Sequence, residues 1–137
     1  MAEARLTLLL EMLELLARYA VGVKRAELDT DREAWLKVKA GLETATQCAI
    51  DLALELVSRR ALGVPQTYRD AFAILARAGV IDAALAAELQ KWAGLRNVLV
   101  HMYTTLDLDR VHAALFATAP LRAFHGIAAR EMARQMP

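Results

Sequence analysis

Leu6-Thr7-Leu8-Leu9-Leu10-Glu11-Met12-Leu13-Glu14-Leu15-Leu16-Ala17-Arg18-Tyr19-Ala20-Val21-Gly22-Val23 is the stretch on which the fold turns. Its apolar density suggests a signal segment or a bilayer span. Arg5, Glu11, Glu14 and Arg18 interrupt it at roughly one-turn intervals, too often for either. Leu6, Leu9, Leu10, Leu13, Leu16, Ala17 and Val21 instead recur at three- and four-residue steps, which predicts an amphipathic helix. The helix is expected to end near Asp29-Thr30-Asp31, where short polar side chains favour a break and can cap the next helix. These features point to a soluble, cytoplasmic protein with no membrane association.

The rest of the chain extends the same pattern. At 137 residues it suits one domain, 1–137, and is too short for two comfortable ones. Hydrophobic residues make up 57%, enough for a sizeable core, and with only 6 Gly and 3 Pro the composition favours helices joined by short loops. Trp35, Val38, Leu42, Ala45, Ala49, Leu52 and Leu56 form the stripe of a long second helix, which Leu62-Gly63-Val64-Pro65 stops, with Gly63 as a left-handed cap. On another face Glu43, Gln47, Asp51 and Glu55 recur every fourth residue. Such a row is first a solvated face, and second a polar groove facing a partner or an active site.

Thr67 reads as the N-cap of a short helix, Tyr68 to Ala78, with Tyr68, Phe72 and Leu75 inward and Gly79 ending it. Asp82 opens a fourth main pattern through Leu85, Leu89, Trp92 and Leu99, and Asp107 caps a fifth through Val111, Leu115 and Phe116. Pro120 should kink or restart the final segment of Leu121, Phe124 and Ile127. No strand period appears. The fold class is all-α: an antiparallel helical bundle of four main helices plus a short one. The leucine-rich faces of the first two helices leave much apolar surface for so small a chain, so a homodimer is expected.

Seventeen basic against sixteen acidic residues, net +1, provide no broad basic field for a nucleic-acid backbone. The lone Cys48 excludes an internal disulfide and falls on an apolar face, as a core thiol does. His112 and His125 stand at no metal-ligand spacing from His101 and read as surface residues. With no P-loop, nucleophile elbow or paired-cysteine site, neither metal nor cofactor is expected.

Reactive polarity is concentrated in Arg96-Asn97-Val98-Leu99-Val100-His101-Met102-Tyr103. At about 100° per residue, Arg96 and Tyr103 nearly eclipse, Asn97 and His101 lie close together, and Arg96 and His101 stand about 140° apart. That is wide for one reaction centre, so a second copy of the chain or a helix distortion would be needed to focus them. The set suits a phosphodiester. Arginine offers a planar fork that keeps its charge, and histidine can take and give a proton near neutrality. RNA carries its own nucleophile, the 2′-hydroxyl, so a base, an acid and a charge stabiliser suffice to cleave it without a metal.

Three segments then carry a resemblance: Pro65-Gln66-Thr67-Tyr68-Arg69-Asp70-Ala71-Phe72, Gly79-Val80-Ile81-Asp82, and Gly94-Leu95 with the octet after it. With Gln47-Cys48-Ala49-Ile50-Asp51-Leu52-Ala53, they resemble the HepT toxins of the HEPN superfamily (higher eukaryotes and prokaryotes nucleotide-binding domain). Met102 and Thr104 depart from that family's pattern. The resemblance implies a HEPN-like homodimer whose paired motifs form a cleft, and a toxin that is a metal-independent endoribonuclease. Arg96 and His101 match the catalytic pair, and Asn97 an accompanying polar position. It implies as partners an RNA substrate and a minimal nucleotidyltransferase antitoxin, MntA-like, that transfers AMP to the motif tyrosine, here Tyr103. A non-catalytic helical adaptor, or a nucleotide-binding partner of a nucleotidyltransferase, is the competing reading.

Overall fold

The computed structural model describes residues 2–101 and 106–134. Its helices are α1 (Ala2–Gly22), α2 (Glu27–Thr30), α3 (Arg32–Arg59), α4 (Tyr68–Arg77), α5 (Ala83–His101), α6 (Leu108–Ala114) and α7 (Ala119–Arg134). No strand occurs among the described residues, and none of their helices is long and apolar enough to cross a membrane. The all-helical expectation holds, with seven helical segments among the described residues in place of the four main helices and one short one.

The caps explain most boundaries. Asp31 accepts from the backbone N–H of Glu33 and Ala34 at 3.0 and 3.3 Å, Thr67 from Asp70 at 3.0 Å, Asp82 from Leu85 at 2.7 Å, and Asp107 from Asp109 and Arg110 at 3.0 and 3.4 Å. Each side-chain oxygen takes up a donor that the first helical turn leaves unpaired. Asp70 reaches back to the Gln66 N–H at 3.0 Å, locking the entry to α4 from both sides. Pro120 lies in the first turn of α7, where its missing N–H costs no helical bond, so the helix restarts there.

Two helix ends differ from the sequence reading. Helix α1 stops at Gly22, about two turns before Asp29, because Val23 and Leu28 bury themselves and fold the intervening turn back on the bundle. Helix α3 ends at Arg59, and Ala61, with φ +52°, takes the left-handed position beyond its cap ahead of Gly63. Leu62 N–H bonds to Val57 O at 3.0 Å and Ala61 N–H to Ser58 O at 3.1 Å, closing the helix in a Schellman motif. Gly79, with φ +78°, does the same for α4 without a β-carbon penalty. Just past α6, which ends at Ala114, Phe116 is 65% exposed although the period placed it inward.

Helix α3 is the axis, packing against α1, α2, α4, α5 and α7. Val38, Leu42, Ala45, Ala49, Leu52 and Leu56 are buried as the stripe required, with Trp35 half-buried. Arg5 near the start of α1 meets Glu55 near the end of α3 at 3.2 Å, while Lys37 stands 5.3 Å from the Tyr19 ring, so the two helices are antiparallel. Helix α7 also runs against α1: its Arg122 Nη2 donates to Leu13 O at 3.2 Å, and His125 Nε2 lies 3.0 Å from Leu6 O. Phe72 of α4 and Phe124 of α7 meet edge to face at 5.6 Å in the core between them.

His112 and His125, expected on the surface, are half-buried struts. His112 Nε2 lies 3.0 Å from Val23 O, a carbonyl left free at the end of α1, and His125 takes the Leu6 carbonyl. On α1 itself, Leu9, Leu13 and Leu16 are fully buried, but Leu10 is 41% and Val21 91% exposed, so the apolar stripe splits into a core edge and a free edge. Leu13→Ala is expected to cost about 2–5 kcal/mol, and Leu10→Ala within about 0.5 kcal/mol in the monomer, in urea unfolding monitored by circular dichroism. Equal costs for the two would contradict this division of α1.

Candidate active site

The site is built from the inward direction of α5. Leu89, seven residues before Arg96 and so pointing almost the same way, is fully buried, as is Leu99. Arg96 therefore leaves α5 toward α3 and α4, and it is only partly exposed. Its Nε donates to Gln47 Oε1 at 3.0 Å and its Nη1 to Asn97 Oδ1 at 3.2 Å. The Tyr68 ring lies 5.4 Å from the guanidinium carbon, within cation–π range.

The row on α3 continues this arrangement. Gln47 Nε2 donates to Asp51 Oδ1 at 2.9 Å; Arg5 from α1 sits 3.6 Å from Asp51 and 3.2 Å from Glu55; Lys39 pairs with Glu43. These side chains are half-buried, so the row is no simple solvated face. It floors a groove of about 410 Å³ between α1, α3 and α5, lined by Arg5, Leu8, Glu43, Thr44, Gln47, Cys48, Asp51, Arg96 and Val100.

Cys48 is buried at the groove floor, and desolvation pushes its thiol pKa up. The Asp51 carboxylate adds to the rise and the Arg5 guanidinium opposes it.

His101 occupies the last described turn of α5, exposed, and does not line the groove. Helix α5 is continuous from Ala83 to His101, so the separation of about 140° from Arg96 stands. One chain brings Arg96 together with Asn97, Gln47 and Tyr68, and leaves His101 on another side. Tyr103 and Met102 lie outside the described residues. No group of three His, Cys, Asp or Glu side chains able to hold a metal occurs among the described ones.

Two contributors were not legible as such. Gln47 stands out in the sequence only as the uncharged member of an acidic row; the usable signal is that an amide there can accept from a cation and donate to an acid at once. Tyr68, expected inward, is half-buried and offers Arg96 its ring face.

Known proteins resemble the chain in both sequence and fold. The family model described as ribonuclease HepT-like matches residues 9–124. The chain is 40% identical over 70 residues to a protein of Shewanella oneidensis named mRNA nuclease HepT, covering 51% of this chain and 53%, about half, of that protein. It is 33% identical over 109 residues to the tRNA nuclease HepT of Aphanizomenon flos-aquae, covering 75% of this chain and 74% of that one. Among solved structures, the tri-AMPylated Shewanella oneidensis HEPN toxin in complex with MNT antitoxin superposes with a TM-score of 0.84 at 25% identity, over 94% of this chain and 96% of that one.

The groove yields a direct chemical expectation. With its pKa raised, Cys48 holds little thiolate at pH 8 and is shielded besides, so iodoacetamide should modify it at least about tenfold more slowly in the folded protein than in urea. Asp51→Asn should speed the folded-state reaction and Arg5→Ala slow it, read by mass spectrometry across pH 7–10. An order reversed from this would contradict the charge arrangement.

Proposed function

We propose, from the premise that the chain belongs to the ribonuclease HepT-like family of the HEPN superfamily, that it is a metal-independent endoribonuclease toxin acting as a homodimer. One observation carries the reading: Arg96 is held in place at the edge of a groove while its helix carries His101 on a different side. Of the five N–H donors of a guanidinium, Gln47 and Asn97 take two, which leaves three for phosphate oxygens. A second copy supplies what one chain separates, with His101 of one protomer and Arg96 of the other converging on one phosphate. The free apolar edge of α1, with Leu8 beside the groove, is the surface available for such a pairing.

In that site a neutral imidazole takes the proton of the 2′-hydroxyl, and the oxygen attacks its own phosphorus. The charge gathering on the non-bridging oxygens falls on the Arg96 fork, and the 5′-oxygen leaves with a proton from an acid, the second imidazole or water. The products are a 2′,3′-cyclic phosphate and a 5′-hydroxyl. Proton transfer contributes about 10²–10⁴-fold, and removal of one positioned cationic donor costs about 10²–10³-fold.

The names of the relatives support a nuclease, and the solved complex supports a nucleotidyltransferase antitoxin as partner. On this reading Tyr103 is the AMP acceptor: its phenol oxygen attacks the α-phosphate of ATP and pyrophosphate leaves. The new phosphodiester carries a negative charge into a site built for substrate phosphate. The competing reading, a non-catalytic helical partner of a nucleotidyltransferase, draws on the near-neutral charge of +1.

Purified protein should cut RNA in the presence of EDTA and leave cyclic phosphate ends, and His101→Ala and Arg96→Ala should each lower kcat/KM at least about 100-fold. Intact RNA with wild-type protein, alongside a tight complex with the co-expressed nucleotidyltransferase, would instead favour the adaptor. Co-expression with an active nucleotidyltransferase should add adenylyl mass that Tyr103→Phe does not acquire; an adduct persisting in that variant would remove Tyr103 as acceptor.

A further inference from the structure

We propose that Arg69 binds a phosphate of single-stranded RNA beside the one that is cleaved. The inference rests on the reading of the chain as a ribonuclease and adds a substrate-positioning residue that lies outside the Arg96 groove.

Arg69 sits in the first turn of α4, and its carbonyl accepts from Gln90 Nε2 at 3.0 Å, which fixes that turn on α5. From there the guanidinium lies in the notch that Gly94 leaves in α5. A β-carbon at Gly94 would overlap Nη2, and would stand 3.5 Å from Cζ and 3.7 Å from Nε. Glycine is among the residues least suited to a helix interior, and Gly94 is the twelfth of the 19 residues of α5. The space its missing side chain leaves is filled by a cation.

Among the described residues that cation meets no acid. Arg5, Arg25 and Arg59 each pair with carboxylates, whereas the hydrogen bonds and ion pairs of the described residues give the Arg69 guanidinium no acceptor. The residue is exposed, so its fork lies beside the notch open to solvent.

Its location says what it would hold. Gly94, Asn97 and His101 recur at three- and four-residue steps and share one strip of α5. Seven residues at about 1.5 Å each put the notch about 10 Å along the helix axis from His101. A strand whose scissile phosphate reaches His101 can continue along this strip, past Asn97, to Arg69 in the Gly94 notch. The carboxamide of Asn97 offers a donor suited to sugar hydroxyls and base edges, and a planar fork matches a phosphate.

Binding of a fluorescein-labelled single-stranded RNA to the His101→Ala protein, measured by anisotropy from about 50 to 200 mM KCl, tests this. Arg69→Met should weaken binding about 3- to 10-fold at low salt and flatten the slope of log Kd against log salt by about 0.7, the share of one phosphate contact on a single strand. Arg69→Lys should restore the slope while recovering only part of the affinity, because the charge returns without the fork. A purely structural Arg69 would leave the slope unchanged in both variants. Unchanged slopes in a protein whose wild type cuts RNA would overturn the assignment of Arg69 and leave the ribonuclease reading standing. A wild type that neither binds nor cuts RNA would overturn both.

Discussion

A guanidinium cannot give up its charge inside a protein, and Arg96 emerges from α5 in nearly the same direction as the buried Leu89. Whatever surrounds it must therefore be polar or π-rich. The Gln47 carbonyl, the Asn97 carbonyl and the Tyr68 ring meet that demand from three directions. The demand then propagates. Gln47 can turn its oxygen to Arg96 because Asp51 takes its amide nitrogen, and Asp51 is balanced by Arg5. A line of alternating donors and acceptors thus runs from α1 across α3 to α5, through residues that are otherwise neighbours of the core. The half-buried row on α3 exists because a single charge had to be accommodated.

What could be read from the sequence was what acts locally. Asp31, Thr67, Asp82 and Asp107 cap the helices they precede, because a cap involves residues two or three positions apart. The stripe on α3 was legible because its partners surround it. The stripe on α1 was legible as a helix but not as a face: leucines occupy so much of its circumference that periodicity alone does not separate buried Leu9 and Leu13 from exposed Leu10. The end of α1 was set by the burial of Val23 and Leu28, which no polar signal marks. Ala61 in a left-handed conformation contradicts the preference for glycine there, and the cost is offset by the two backbone bonds that close α3.

Long-range polar contacts escaped for the opposite reason. His112 and His125 reach carbonyls 89 and 119 positions earlier in the chain, and the Arg96 partner Gln47 lies 49 positions away. Nothing in a one-dimensional pattern ties such positions together. The octet itself was legible in composition, and its angular spread between Arg96 and His101 survives in a continuous α5. What the spacing could not say is that the arginine end is anchored within the chain while the histidine end faces outward.

That division has a consequence for dosage. On the dimeric reading, a chain whose reactive halves face different ways has no activity alone, and at low abundance the active species grows with the square of the number of chains made. Occasional leaky synthesis would then be harmless, and a burst would not be. The regular geometry of one helix, with no bend to gather its own side chains, would act as a threshold in the cell.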